Sequence, residues 1–354
     1  MNIASLLLKA FSVCAAVAVL AACSSNVLQS ALGPSTGAWR PGQFTGPLSL
    51  GSPRFFAATM RITAHPDRGR SWMAFDAKKA DLLYIADTGT NDVYVYSYPK
   101  NKLEGTLTGF NSPGGLCVNK AGDVFITNVL GWDVLEYAHG GTKPIATLAQ
   151  APYSFPYACS IDPATGNLAV TDIASGGGSP SGEGPGSLLI YKNAHGTPRS
   201  YSTMYHPYYC GYDAKGNLFI DGEGAGFSTF MFGELPKGKK FTNIALNQSF
   251  VLAGGVQWDG SNIAVGDSDS SVIYQFITNG KNGTEVGSTP LMGTDVVWQF
   301  WVQGQKVVAP NSYHVGSQNL SNVLFYNYPA GGSATGALGG SVDYPDGVTV
   351  SVAK

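Results

Sequence analysis

The sequence contains little charge. Charged residues make up 12% of its 354 residues, about half the share that is usual in a soluble protein. Because exposed helix faces are normally rich in Glu, Lys and Arg, this shortage disfavours a helical protein. The sequence also has no block of Lys and Arg, and its formal net charge is -2, so we expect no nucleic acid partner.

Sequence motifs of nucleophilic and cofactor-dependent catalysis are also missing. There is no Gly-x-Ser-x-Gly elbow, no phosphate-binding loop and no dinucleotide fingerprint. The five histidines are scattered, and the sequence suggests no Ser or Cys nucleophile beside any of them. We therefore predict no catalytic residue, and no cofactor other than a divalent cation considered below.

The residues that are abundant favour short strands joined by tight turns. The chain has 46 Gly and 20 Pro, and hydrophobic residues reach 44%, with aromatic residues at 12%. Gly and Pro are typical of turns, whereas aromatic and β-branched residues suit strands. This hydrophobic content also disfavours a disordered chain. We predict an all-β protein.

The first residues are typical of an exported protein. Lys9 is followed by a stretch that is apolar to Ala22 except for Ser12, and the stretch is too short to span a bilayer comfortably. It ends in Leu20-Ala21-Ala22-Cys23, which resembles the lipobox of bacterial lipoproteins. An ordinary signal peptide with a chance Cys is the alternative.

The resemblance implies a domain order and a location. Residues 1–22 would be a signal peptide that is removed, and Cys23 would be acylated, with palmitate among the acyl chains. Residues 23–53 would be the lipidated N-terminus and a flexible Ser/Gly/Pro-rich tether, and residues 54–354 the folded domain. The protein would be a monomer held on a membrane of the bacterial cell envelope, facing the periplasm or the exterior.

The chain repeats itself. Six segments share one pattern, and their last residues are 43, 43, 51, 46 and 44 residues apart, the period of propeller blades. The segments are SWMAFD, PGGLCVN, PYACSID, PYYCGYD, AGGVQWD and VWQFWVQ, which end at Asp76, Asn119, Asp162, Asp213, Asp259 and Gln303. A seventh, partial copy reads PDGVTVS and ends at Ser351.

Each copy continues with a turn, two further apolar runs and a weaker fourth run, which predicts a four-stranded meander. The spacing resembles the NHL and SMP-30-like β-propellers, most clearly from Pro113 to Asn128, from Pro156 to Asp172 and from Pro207 to Gly222. We predict a β-propeller of six four-stranded blades, in which Gly347 to Val352 closes the ring. In the seven-bladed alternative, this last strand joins residues 36–70.

Polar residues end the second strand of five blades at equivalent positions. They are Asp87, Asn128, Asp172, Asp267 and Asn311, with Asp221 one residue earlier in its blade. Such residues often bond the backbone of the following turn. As the alternative, they would form a ring of acceptors that binds a ligand or a hard cation such as Ca²⁺.

Three cysteines fall in the first strands of consecutive blades. Cys159 and Cys210 both lie three residues after the repeat Pro, whereas Cys117 lies four after, so Cys117 should face the opposite way. Cys159 and Cys210 could pair in an exported protein. Buried free thiols are the alternative that we favour.

Two functions remain open. The first, which we favour, is a binding scaffold for a protein, peptide or glycan, because propeller loops converge on one end of the ring. The second is a metal-dependent hydrolase or lactonase, as the SMP-30-like resemblance would imply.

Overall fold

A computed structural model of the chain describes residues 69–174, 184–225, 229–315, 317–340 and 342–354. The predicted signal peptide, Cys23, the tether 23–53 and the first residues of the predicted domain lie outside the described residues. In the described part of the chain, no helix is long and apolar enough to cross a membrane.

The described residues form six antiparallel blades in a ring. Blade 1 contains β1 (Trp72–Met73), β2 (Asp81–Asp87), β3 (Asp92–Tyr98) and β4 (Lys102–Leu107). Blade 2 contains β5 (Pro113–Val118), β6 (Val124–Asn128), β7 (Asp133–Tyr137) and β8 (Pro144–Ala149). Blade 3 contains β9 (Pro156–Ile161), β10 (Leu168–Asp172), β11 (Ser187–Tyr191) and β12 (Arg199–Tyr201).

The second half of the ring is built in the same way. Blade 4 contains β13 (His206–Tyr212), β14 (Asn217–Glu223), β15 (Phe230–Pro236) and β16 (Thr242–Asn243). Blade 5 contains β17 (Ala245–Leu246), β18 (Ala253–Trp258), β19 (Ile263–Asp267), β20 (Val272–Thr278) and β21 (Asn282–Met292). Blade 6 contains β22 (Trp301–Gln303), β23 (Lys306–Asn311), β26 (Asn322–Asn327) and β28 (Gly336–Gly339). Between β23 and β26, β24 (His314–Val315) and β25 (Gln318–Asn319) form a separate hairpin. β27 (Gly332–Ser333) pairs with β21 of blade 5.

The last strand of the chain completes the first blade. β29 (Pro345–Ser351) pairs antiparallel with β2, and Ile85 lies opposite Val348. The strand order in blade 1 is β1-β4-β3-β2-β29, so β29 is the innermost strand. The prediction of six blades is confirmed.

One strand assignment was wrong. The segment SWMAFD was expected to supply the inner strand of blade 1, but its strand β1 pairs with β4 at the outer edge, where Trp72 lies opposite Thr106. The inner edge of β2 is already occupied by β29, so SWMAFD pairs at the outer edge of the blade instead. β29 fits closely at this position, because a Cβ at Gly347 would clash with the Gly114 carbonyl oxygen.

The strand directions define two ends of the ring. The second strands β2, β6, β10, β14, β19 and β23 run towards what we call the rim end, where the inner strands begin. The turns between first and second strands lie at the opposite end, the turn end. Here Asp213 Oδ1 accepts hydrogen bonds from the backbone N–H of Lys215 and Asn217, both at 2.8 Å, and Asn119, Asp162 and Asp259 make similar turns.

A disulfide crosses the core between blades 2 and 3. Cys117 and Cys159 are bonded, with a Cα–Cα distance of 5.6 Å, and they pack with Phe125 and Val170 in one buried cluster. Cys210 is free and buried.

The expected cysteine chemistry was therefore wrong, although Cys117 does face the opposite way. One face of each blade packs against the opposite face of the next blade. Cys117 of β5 is therefore in contact with Cys159 of β9. Cys159 and Cys210 face the same way around the ring, and Cys210 packs in the next cluster with Ala169 of blade 3. Two side chains that face the same way cannot meet between blades.

Removing β29 should destabilise the whole ring. A chain that ends at Tyr344 leaves β2 without its inner partner and removes the buried side chains of Val348 and Val350 from the cluster between blades 6 and 1. We expect the melting temperature, measured by circular dichroism, to fall by roughly 10 °C or more.

A chain that ends at Val352 is the matched control and should melt within a few degrees of the parent. If the chain ending at Tyr344 melts like the parent, β29 is an appendage rather than part of the ring.

Candidate functional site

The five predicted acceptors lie at the rim end, and all are buried. Each side-chain oxygen accepts a hydrogen bond from the segment that enters the inner strand of its own blade. These bonds come from the backbone N–H of Tyr344 to Asp87 (2.9 Å), of Asn111 to Asn128 (2.6 Å), of Phe155 to Asp172 (2.6 Å), of Leu252 to Asp267 (3.1 Å) and of Asp295 to Asn311 (2.7 Å).

This geometry fastens the end of each second strand to the start of the inner strand. The amide nitrogens of the two Asn residues donate to Asp133 (2.9 Å) and Asn322 (3.1 Å) in the third strands, which extends the link across the sheet. Among the described residues, no three His, Cys, Asp or Glu side chains lie close enough to hold a metal ion. Ligand or Ca²⁺ binding at these residues stays a prediction.

Burial changes the acidity of two rim carboxyl groups. Desolvation raises the pKa of Asp87 to about 6 and that of Asp172 to about 7, although hydrogen bonds from the backbone lower both. At neutral pH a large share of Asp172 is therefore protonated and resembles the neutral Asn that blades 2 and 6 carry at this position.

A second set of polar groups lies nearer the axis, where the inner strands contain β-bulges. In β9, Pro156 and Ala158 pair with consecutive residues of β10, so Tyr157 is the extra residue. Asp346 is the extra residue of β29 in the same way. A bulge re-aims the side chain that it carries, and these two side chains meet.

Buried tyrosines and carboxyl groups form this axial cluster. Tyr157 Oη lies 3.1 Å from Tyr209 Oη and donates to Asp346 Oδ1 at 3.4 Å. Asp221 Oδ1 accepts from the backbone N–H of Tyr209 at 3.0 Å. Tyr208 packs edge-on against Tyr157, with ring centroids 6.0 Å apart. All five residues are at most 4% exposed, so their side chains fill the interior at this level.

The two axial carboxyl groups are poorly satisfied by protein partners. Among the described residues, neither Asp221 Oδ2 nor Asp346 Oδ2 has a hydrogen-bond partner. Burial raises the pKa of Asp346 to about 7 and that of Asp221 well above its usual range. The neutral acid is the form that this environment favours.

One feature of the sequence indicates this cluster, although the repeat pattern does not identify it. The residue after each repeat Pro changes from blade to blade: Gly114, Tyr157, Tyr208 and Asp346 occupy it. The residues on either side of this position are similar from blade to blade because they form the strands of the blade. The position itself lies in the bulge and faces the interior. Two aromatic-rich segments of the sequence, 205–209 and 298–301, pack mainly in the interior, since Tyr208, Tyr209, Trp298 and Trp301 are all buried.

An aromatic pair lies at the rim end between blades 2 and 3. The rings of Trp132 and Tyr153 have centroids 5.1 Å apart and are tilted by 58°, and Tyr153 is 38% exposed. Both residues have a left-handed backbone, with φ of 60° and 63°. Bulky residues rarely adopt this conformation, and such strain is concentrated at functional sites. We take this pair as the candidate binding surface.

Comparison with known proteins finds the fold. No family model matches the chain, and no curated protein matches it. A solved nidogen/laminin complex contains a chain that is 12% identical, with a TM-score of 0.60, and the match covers 78% of this chain and 100% of that one. The likeness is one of fold alone. The fold is a β-propeller.

Two further solved structures share this fold. A protein of unknown function from Bacteroides caccae is 12% identical with a TM-score of 0.59, over 78% of this chain and 100% of that one. The β-propeller domain of Cps50 (Swd1) from Myceliophteria thermophila is 12% identical with a TM-score of 0.50, over 78% of this chain and 88% of that one. Neither identity is high enough to carry a function across.

The raised pKa of Asp172 predicts how stability depends on pH. Because the pKa in the folded state, about 7, lies above the ordinary value of 3.8, the protonated carboxyl stabilises the fold below about pH 4 and this contribution is lost as pH rises through about 7. Asp172→Asn should therefore match the parent at about pH 3.5 and melt at a higher temperature at pH 8, with a gain of at most about 4 kcal/mol.

Asp76→Asn is the control, because its carboxyl group is 70% exposed and its loss should leave the pH profile unchanged. Thermal melts across the pH series decide the outcome. Equal destabilisation by Asp172→Asn at both pH values would contradict the prediction.

Proposed function

We propose that this chain is a lipid-anchored propeller of the bacterial cell envelope that binds a protein, peptide or glycan through its rim end. The observation that carries the proposal is the strained, partly exposed pair Trp132 and Tyr153. Aromatic rings that are held rigidly and partly exposed offer a large stacking area at little entropic cost.

The surroundings of the pair hold it in place. The Trp132 carbonyl oxygen accepts a hydrogen bond from the backbone N–H of Gln150 at 2.9 Å, which joins the two connections that carry the aromatic residues. Asn128 and Asp172, two of the buried rim residues, fix the strands on either side. A preformed surface of this kind suits recognition rather than induced folding.

The fold of the neighbouring structures supports a binding role in general. One of them was solved as a complex of nidogen and laminin, and propellers commonly present a binding surface at one end of the ring. The hydrolase alternative stays a prediction from the SMP-30-like resemblance, and no observation in the described residues favours it.

The membrane anchor predicts a defined chemical N-terminus. If Leu20-Ala21-Ala22-Cys23 acts as a lipobox, the protein from the membrane fraction begins at Cys23 and carries acyl chains. Intact-mass analysis should give the mass of residues 23–354 plus the lipid, and Cys23→Ser should block both changes. An unmodified N-terminus, or cleavage at another bond, would remove the lipid anchor from the proposal.

Binding at the aromatic pair predicts a position-specific cross-link. A photoreactive amino acid in place of Tyr153, in the full chain in intact cells, should form a discrete protein or glycan adduct. The same amino acid in place of Ile145, which is 59% exposed in blade 2, should not. Trp132→Asn should lower the adduct at position 153 by about tenfold, as expected for the loss of one stacked ring.

Asn tolerates a left-handed backbone, so Trp132→Asn should melt no lower than the parent, and a lost adduct would then report lost recognition rather than unfolding. Equal adducts at positions 153 and 145 would overturn the assignment of the rim end as the binding surface.

A further inference from the structure

Three apolar side chains are exposed at the outer edge of blade 1. Phe75 is 95% exposed, Trp72 is 46% exposed and Leu103 is 37% exposed. A nearly fully exposed Phe is unusual, because this side chain is among those most often buried. Exposed apolar groups that cluster mark an interaction surface.

Strand pairing places these side chains along the same outer edge of blade 1, with Trp72 opposite Thr106. In the β1–β4 pair, Met73 lies opposite Gly105, and the Ala74 N–H donates to the Glu104 carbonyl oxygen at 2.6 Å. The register therefore places Phe75 beside Leu103. We call Trp72, Phe75 and Leu103 the edge patch.

A hydrogen-bonded turn follows Phe75 and fixes the backbone next to the edge patch. The backbone N–H of Ala77 donates to the Ala74 carbonyl oxygen at 3.1 Å, and that of Lys79 donates to the Asp76 carbonyl oxygen at 3.0 Å. On the inner side, Met73 packs against the core between blades 1 and 2. Phe75 is thus held between the partly buried Met73 and a hydrogen-bonded turn, so its exposure is built into the fold.

Positive charge surrounds the edge patch. The exposed basic residues at this turn-end corner are Lys78, Lys79, Lys100 and Lys102. Asp76 pairs with Lys79 at 2.6 Å, and Glu104 pairs with Lys102 at 3.3 Å, so the basic side chains outnumber these acidic partners. The whole protein is slightly acidic, with a formal net charge of -2, which makes a basic corner a local feature.

This composition fits a lipid surface better than a second copy of the chain. Aromatic rings flanked by Lys and Arg are typical of segments that lie in the headgroup region of an anionic bilayer. A second copy would bring the same basic side chains against one another, which like-charge repulsion opposes.

The position of the edge patch also suits a membrane. Phe75, the turn that carries Lys78 and the β3–β4 turn that carries Lys100 lie at the turn end, so the rim end with Trp132 would stay away from the bilayer.

We propose that the edge patch docks on a bilayer with anionic headgroups and orients the propeller with its rim end away from the membrane. Phe75 and Trp72 enter the headgroup region, and the surrounding basic side chains contact lipid phosphates. The contact does not require acylation of Cys23, so it can hold even if the predicted anchor is wrong.

Site-specific labelling of the full chain tests the proposal. Phe75→Cys is compared with Met292→Cys, which is 61% exposed and lies at the rim end of blade 5, and the parent sets the labelling background. On vesicles of phosphatidylethanolamine and phosphatidylglycerol, a polarity-sensitive dye at position 75 should shift its emission to the blue, and a water-soluble maleimide should react about tenfold more slowly there. Position 292 should show neither change.

Charge reversal and a neutral lipid complete the test. In the Phe75→Cys background, Lys78→Glu with Lys100→Glu should restore maleimide reactivity by about tenfold, because each basic residue contributes to binding an anionic surface. Vesicles of phosphatidylcholine alone should give a smaller dye shift, and melting temperatures confirm that the variants fold.

Three outcomes overturn the proposal. A dye at position 75 that stays in water on anionic vesicles excludes docking. Equal shifts at positions 75 and 292 mean non-specific adsorption. A shift at position 75 that appears without vesicles and grows with protein concentration assigns the edge patch to a second copy of the chain.

Discussion

The hydrogen bonds between β29 and β2 join the two ends of the described chain into one sheet. The positions of the axial cluster and of the edge patch depend on this closure of the ring. The pairing extends from Leu82 opposite Ser351 to Asp87 opposite Pro345. It puts Asp346 beside the tyrosines of blades 3 and 4. It also moves β1 to the outside of blade 1, where Trp72 and Phe75 are exposed. An open ring would give none of these neighbours.

Closure also explains why so many polar groups are buried at the rim end. Each inner strand is entered by an irregular segment whose backbone N–H groups have no strand partner, and a buried N–H needs an acceptor. Asp87, Asp172 and Asp267 supply a carboxyl oxygen as the acceptor, and Asn128 and Asn311 supply an amide oxygen. Burial makes the charged form costly at Asp87 and Asp172. Asp and Asn at this position therefore satisfy the same backbone N–H groups.

Strand content, repeat length and closure could be predicted from the sequence because they depend on local chemistry. Apolar runs such as NLAVTD, bounded by turn residues, become β10 in the structure, and PDGVTVS becomes an inner strand because it copies one. The disulfide could not be predicted in this way. Its two cysteines are separated by 42 residues, and they come into contact only because of the way two blades pack against each other. The alternation of residues within one strand gives no information about this packing.

The axial cluster and the aromatic pair were missed for a related reason. A bulge adds one residue to β9 and β29, so counting alternate residues along the strand fails at Tyr157 and Asp346. Trp132 and Tyr153 adopt positive φ although neither is Gly or Asn; here packing between blades overrides local preference. Sites that depend on such departures from regular geometry become visible only when the whole ring is assembled.

Native-state hydrogen exchange of the full chain, followed by mass spectrometry of peptides from β29, β2 and β5, tests the closed ring most directly. If β29 is an integral inner strand, amides of Ile85 and Val348 exchange only through global unfolding, with the same free energy of opening as those of Leu116 in β5. Exchange of the β29 amides at a markedly lower free energy, with β5 still protected, would show that the chain end detaches on its own and would contradict the account.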